Sequence, residues 1–207
     1  MTGATGFMGS YIVNKLKARG FRVGVFDIQP SSALPAFADS VSWFQGDITR
    51  IETISEVVEA FAPETIIHLA GLLQYGCAKD PRNALMVNVL GLSNILEAAR
   101  INKVARFVTA SSAAVYGPGG PFTEKDPCRP IGPYAHSKYQ AEISVLSASE
   151  RGLKPTVLRL GTVFGLAPIM RFDAVPNRFA YLAGVDRPLT VYGSGNQLRP
   201  FIHVSDA

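Results

Sequence analysis

Apolar runs of strand length recur along the chain at 21–27, 41–45, 65–70, 105–110 and 155–160. Each is short and closed by polar or turn residues, as buried strands are. Between them apolar positions return every three or four residues, which predicts helices over 7–19, 50–61, 80–101 and 134–151. In the third of these the apolar stripe is Leu85, Val89, Leu92 and Leu96. Strand and helix therefore alternate, and four such crossovers imply a doubly wound, parallel α/β sheet with helices on both faces. Proline and glycine gather at 117–133 and again after 161. They mark loops and a change of domain, which divides the chain into residues 1–160 and 161–207.

Gly3, Gly6 and Gly9 open the first helix, and each position has its own requirement. The first allows a tight turn, the second lets a pyrophosphate approach the backbone, and the third lets the helix pack close to the sheet. The free N–H groups and positive end of that helix suit phosphate. Asp27, at the end of the next strand and 18 residues after Gly9, can accept both ribose hydroxyls of a dinucleotide. Its charge repels a 2′-phosphate and no Arg follows at 28–30, so NAD is expected rather than NADP. In such a unit a buried strand precedes the loop, yet only Met1 and Thr2 stand before Gly3. The first strand of a Rossmann-type sheet is thus missing, and the expectation is an open gap between unpaired edges. With the equally abrupt stop after the apolar run 201–204, this predicts a piece of a longer protein that is poorly soluble by itself.

Tyr134 and Lys138 lie four residues apart, on one face of the helix that follows Pro133. A cation beside a phenol favours the phenolate, so Lys138, together with an oxidised nicotinamide, is expected to make Tyr134 a general base near neutrality. Ser111 and Ser112 end the strand before it, on the rim where ligands bind in such sheets. Ser112 is placed to hydrogen-bond the substrate hydroxyl that Tyr134 deprotonates.

The segments TGATGFMG at 2–9, Gly46-Asp47-Ile48, His68-Leu69-Ala70, Val87-Asn88, Ser111 to Gly117, Tyr134 to Lys138, and Arg159 follow one another in a familiar order. In them the chain resembles an extended short-chain dehydrogenase/reductase of the NAD-dependent epimerase/dehydratase family. The resemblance implies that Gly3, Gly6, Phe7, Met8 and Gly9 surround the pyrophosphate of NAD. It implies adenine contacts from Asp47 and Ile48, a strand end at Leu69, Ala70 and Gly71 beneath the cofactor, and support of the active site by Asn88. Ser111 belongs with the same cofactor set, Ser112 and Tyr134 with the catalytic pair, and Lys138 with the ribose of the nicotinamide. Residues 161–207 would begin a substrate lobe. A homodimer built from the helices near 80–101 and 134–151 is usual in the family.

In the family's 4,6-dehydratases an Asp-Glu pair follows the catalytic hydroxyl residue; here Ala113 and Ala114 stand there. Neither exchanges a proton, so dehydration is disfavoured, and so is decarboxylation, which has Glu at the second position. This leaves epimerisation of a nucleotide-sugar through a transient ketone, or net oxidoreduction of an alcohol, sugar or otherwise. Arg199 resembles the family's pyrophosphate-gripping arginine, whose fork suits phosphate oxygens. Thr162, also expected at the substrate, stands where sugar-nucleotide enzymes often carry Asn. Arg171 and Asn177 fall in the substrate segment without an assignable role. A third alternative is a regulator that binds the dinucleotide without catalysis; such proteins usually lose the Tyr or Lys retained here.

The chain has 207 residues, 47% apolar and 17% charged, with a net charge of +4. That composition excludes disorder. The basic residues are scattered, and the tightest group, Lys15, Lys17, Arg19 and Arg22, suits a solvated helix end rather than a nucleic-acid surface. Cys77 and Cys128 form no CxxC and have no paired histidines, so neither a disulfide framework nor a zinc site is expected and the cytoplasm is the default location. His68, His136 and His203 lie in unrelated elements and form no metal set. Asn88, Asn94 and Glu97 interrupt the longest apolar stretch before it reaches the roughly 18 residues that would span a bilayer, and residues 1–20 lack the pattern of a signal peptide. The mean hydropathy of +0.17 matches strands that are apolar on both faces.

Overall fold

The computed structural model describes residues 1–150 and 152–207. Helix α1 (Phe7–Ala18) leads to β1 (Gly24–Asp27), β2 (Ser42–Gln45), α2 (Ile51–Phe61) and β3 (Thr65–His68). Next come α3 (Gln74–Lys79), α4 (Pro81–Leu85), a π-helical turn (Met86–Gly91) and α5 (Leu92–Ile101). Strand β4 (Arg106–Ser112), α6 (Gly132–Ser149) and β5 (Lys154–Leu160) complete the main layer. Beyond it stand β6 (Thr162–Phe164), α7 (Val175–Gly184) and β7 (Phe201–His203). The helix expected to end at residue 151 ends its described course at Ser149; residue 151 lies outside the described residues.

All strand pairs are parallel, β1 with β2, then β3 with β4 and β4 with β5. Single bridges from Thr2 to Phe26 and His68 join the two groups into the order β2, β1, β3, β4, β5. The expected open gap is therefore corrected at its carboxyl end. The Phe26 N–H donates to the Met1 carbonyl at 2.8 Å, the Thr2 N–H to Ile67 at 3.0 Å and the Leu69 N–H to Thr2 at 3.2 Å. Two residues thus act as a strand where the ligand rim needs one. Towards the other end an apolar cleft remains between Gly24, Val25, Ile66 and Ile95, and Phe21, expected within β1, is exposed.

One face of the sheet is covered by α2, α5 and α6 through Ile54, Val58, Leu92, Ile95 and Val145 packed on Phe26, Ile66 and Phe107. The other carries α1, whose Val13 packs on Val23, Val25 and Leu34. The segment after 160 docks on the same helix, with Val163 and Val204 against Phe7. The expected stripe holds in its second half, where Leu92 and Leu96 are buried, and fails in its first: Leu85 is exposed, Val89 is half-buried, and Ala84 and Asn88 take the buried places there. The π turn inserts its wider spacing between α4 and α5, so apolar positions on its two sides do not share one face. Pro81–Ile101 runs as one helix of 21 residues with a hydropathy of 1.3, long and apolar enough to cross a membrane by composition, contrary to the interruption expected at its asparagines. Half of its apolar window is buried inside the protein, and both asparagines donate to groups within the fold.

Candidate active site

The glycine loop sits at the carboxyl ends of β1 and β3. Gly3 adopts φ +71°, and a Cβ there would lie 2.5 Å from the Ala70 nitrogen. At Gly9 a Cβ would fall 2.1 Å from the Gly3 carbonyl oxygen, so α1 starts hard against the loop. Gly6 is different, because its nearest neighbour would be 3.4 Å away. Its openness leaves room for a ligand to approach the backbone. Asp27 is buried beneath this loop and accepts from the Thr5 N–H and hydroxyl, both at 3.0 Å, and from the Gln29 N–H at 3.1 Å. Three bonds leave a carboxylate capacity for a further donor such as a ribose hydroxyl.

Asp47 lies two residues past β2, where its carboxylate accepts from the Thr49 N–H at 2.8 Å. Ile48 is buried against Gly91, and its carbonyl accepts from Asn94 at 3.1 Å. Leu69, Ala70 and Gly71 continue β3 past Gly3. Gly71 lies against Asn88 and the Lys138 Nζ, which a Cβ would meet at 2.9 and 3.8 Å. Phe7 is buried against Val163 and Val204, with Met8 packed at the edge of that cluster.

Asn88 ties this rim to α6. Its amide donates to the Ser137 hydroxyl at 2.9 Å and the Leu72 carbonyl at 3.1 Å, and its Oδ1 accepts from the Leu72 N–H at 2.7 Å. Ser137 in turn donates to the Tyr134 carbonyl at 2.8 Å. The helix turn that carries Tyr134 and Lys138 is fixed by these bonds. The Tyr134 phenol hydrogen-bonds Ser112, whose hydroxyl also accepts from the Ala114 N–H at 3.2 Å. The Lys138 ammonium donates to the Ala110 carbonyl at 2.9 Å, one strand residue before Ser111.

Burial pulls Lys138 down from its usual 10.5 to about 8, opposed by Cys77 where that thiol ionises at alkaline pH and by the Glu142 carboxylate. Tyr134 differs from expectation. Burial holds its phenol above the ordinary value, and what opposes burial is the Ser112 hydrogen bond and the positive charge of Arg171 rather than Lys138. The ammonium is directed to a main-chain carbonyl instead. Arg171, which sequence reasoning left without a role, is itself paired with Asp173 at 2.7 Å. Asn177 is buried and braces the same segment, accepting from the Gly165 N–H at 2.8 Å and donating to the Arg171 carbonyl at 2.9 Å.

Three further expected site residues are Ser111, Thr162 and Arg199. The Ser111 hydroxyl points into the fold and donates to Glu142, so its side chain faces away from the rim on which Ser112 lies. Arg199 is exposed, on the stretch leading into β7, and Thr162 pairs with Phe201 while its N–H donates to Pro200 at 2.8 Å. His68 is buried against Thr2, with which it shares a hydrogen bond of 2.8 Å. Burial, with the charges of Lys138 and the amino terminus, lowers it from 6.5 to about 3. The unfolded chain therefore binds a proton that the fold refuses between these values, and stability should fall as pH drops from about 6.5 towards 3. Thermal melts across that range test this, since His68→Gln should flatten the decline and an unchanged slope would refute it.

A glycine-turned helix start, an acidic strand end and a Ser-Tyr-Lys set on one rim define a dinucleotide-dependent enzyme that works on an alcohol or a ketone. The sequence profile of the NAD dependent epimerase/dehydratase family matches residues 1–207, and the chain belongs to that family. The UDP-glucose 4-epimerase of Mycolicibacterium smegmatis is 30% identical over all of this chain and 69% of its own length. The decarboxylating sterol-4-alpha-carboxylate 3-dehydrogenase erg26 of Schizosaccharomyces pombe is 33% identical over 78% of this chain and 48% of its own. Among solved structures, MoeE5 in complex with UDP-glucose and NAD superposes with a TM-score of 0.87 at 34% identity, over 99% of this chain and 67% of that one. The open cradle at Gly6 and the carboxylate of Asp27 fit NAD, the family's cofactor.

Proposed function

We propose that the protein is an NAD-dependent nucleotide-sugar epimerase. The observation that carries this is the meeting of Ser112, Tyr134 and Lys138 at the end of β4, beside the glycine loop. NAD held by the glycine loop and Asp27 would supply reversible hydride transfer at the sugar carbon, with return open to either face. Tyr134 takes the proton of the hydroxyl on that carbon and gives it back to the ketone oxygen, and Ser112 orients both oxygens by hydrogen bonding. Lys138 holds the cofactor ribose from one helical turn away. Gly3, Gly6, Phe7, Met8 and Gly9 enclose the pyrophosphate, and Asp27 takes the adenosine ribose. Asp47 and Ile48 flank the adenine, Leu69, Ala70 and Gly71 floor the site, Asn88 braces it, and Ser111 contributes through its main chain. Residues 161–207 begin the substrate lobe, with Thr162 at the sugar and Arg199 on its pyrophosphate. Exposed Leu85, Met86 and Leu90 on the helix Pro81–Ile101, with Ile143 and Leu146 on α6, support a homodimer through these two helices, and the free thiols of Cys77 and Cys128 accord with a cytoplasmic location.

Net oxidation is the second reading, favoured by the sterol dehydrogenase relative. Incubating the full-length protein with UDP-glucose and NAD separates the two. Epimerisation should yield the 4-epimer with no lasting rise in reduced-nicotinamide absorbance. A rise that keeps pace with substrate loss would replace the proposal with the dehydrogenase.

A further inference from the structure

We infer that Glu142 and Arg159 form a positioning unit that sets Ser112 against Tyr134 and keeps the Lys138 ammonium charged from behind. The inference rests on the catalytic roles proposed above but not on the identity of the sugar. Tyr134, Lys138 and Glu142 follow one another at four-residue spacing, along one stripe of α6. Glu142 is buried at 3% exposure. Its carboxylate accepts from the Ser111 hydroxyl and from Arg159, with Nε at 3.1 Å from both oxygens and Nη2 at 2.8 Å from one. Ser111 and Arg159 are register partners on β4 and β5. The remaining arm of the guanidinium donates to the Tyr116 hydroxyl at 2.9 Å, and the Tyr116 ring lies 4.8 Å from its centre. Tyr116 closes the short helical turn Ala113–Tyr116 that starts directly after Ser112.

The segments that carry all three catalytic side chains thus meet on one ion pair. A role in stability alone would be served as well by an apolar pair of similar volume, because burying two charges costs about what their attraction returns. Electrostatics gives the pair a second task. The titratable groups around Lys138 are His68 from β3, Cys77 from α3, and Tyr134 and Glu142 from its own helix, with Arg159 beyond Glu142. Burial keeps His68 and the Cys77 thiol neutral near pH 7. Among the described residues, Glu142 is the carboxylate left to balance the ammonium.

Glu142→Gln keeps the shape and removes the charge. In the full-length protein, turnover should fall roughly tenfold to a hundredfold through lost alignment, with the substrate KM nearly unchanged. The alkaline limb of the pH profile should move down by about one pH unit, and Glu142→Asp should restore its position. Lys138, followed by NMR with isotope-labelled lysine and assigned through Lys138→Arg, should titrate at correspondingly lower pH. A Glu142→Met/Arg159→Met double variant should melt near the wild type yet keep the displaced limb, which decides the matter if the single variant fails to fold. Wild-type turnover and limb in the folded double variant, or an unmoved Lys138 titration in Glu142→Gln, would overturn the inference. If the wild-type protein turns over no nucleotide-sugar, the catalytic proposal fails, while the Lys138 titration still decides the charge effect.

Discussion

Tyr134→Phe is expected to lower turnover of the full-length protein by about a hundredfold to ten-thousandfold, the usual contribution of a positioned proton-transfer group. The loss should be confined to chemistry. The ring stays in place because the turn beneath it is held through main-chain atoms, by the Ser137 bond to the Tyr134 carbonyl and by Asn88 behind Ser137. What disappears is the phenol oxygen and its bond to Ser112. NAD affinity, which the proposal assigns to the glycine loop and Asp27, should remain within about twofold. Steady-state kinetics beside a direct NAD titration check this, and undiminished turnover would remove Tyr134 from the proposed role.

Gly9→Ala is expected to have the largest effect on the fold. Its new methyl would sit 2.1 Å from the Gly3 oxygen and 2.7 Å from the Ala4 Cα, both main-chain atoms that no side-chain rotation can clear. Overpacking against a fixed neighbour costs about 1–3 kcal/mol or more, which for a chain of this length lowers Tm by roughly 2–4 °C per kcal/mol. NAD binding should be lost with the loop. Gly6→Ala provides the contrast, since its methyl has 3.4 Å of clearance within the protein. It should melt like the wild type and weaken NAD binding by about tenfold or more, equivalent to ~1.4 kcal/mol. A melt of Gly9→Ala indistinguishable from the wild type would show that α1 can shift away from the loop.

The alternation of strand and helix was legible because buried parallel strands are apolar on both faces and therefore stand out against their surroundings. The start of α6 was legible from Pro133, and the loop from its glycines. Within Pro81–Ile101 the burial of Leu92 and Leu96 was legible but that of the first half was not, because periodicity tracks apolar residues, whereas Asn88 is buried for its hydrogen bonds and the π turn shifts the register at that point. Glu142 escaped notice for a related reason. A carboxylate four residues after a lysine on a helix usually belongs to a solvated face, and its burial depends on Arg159 arriving from a strand that the local pattern cannot place. The spacing of Tyr134, Lys138 and Glu142 was a usable signal all the same. Arg171 was invisible as a neighbour of Tyr134, since 37 positions separate them in sequence and only the segment after β6 brings its charge back.

The grip of Asp27 on Thr5 and Gln29 has a consequence for recognition kinetics. A loop so tethered to the strand below is shaped before any nucleotide arrives, so its ordering entropy is lost during folding and not at the encounter. Association should then be limited by collision and orientation, with little main-chain rearrangement of residues 3–9 between the empty and loaded states.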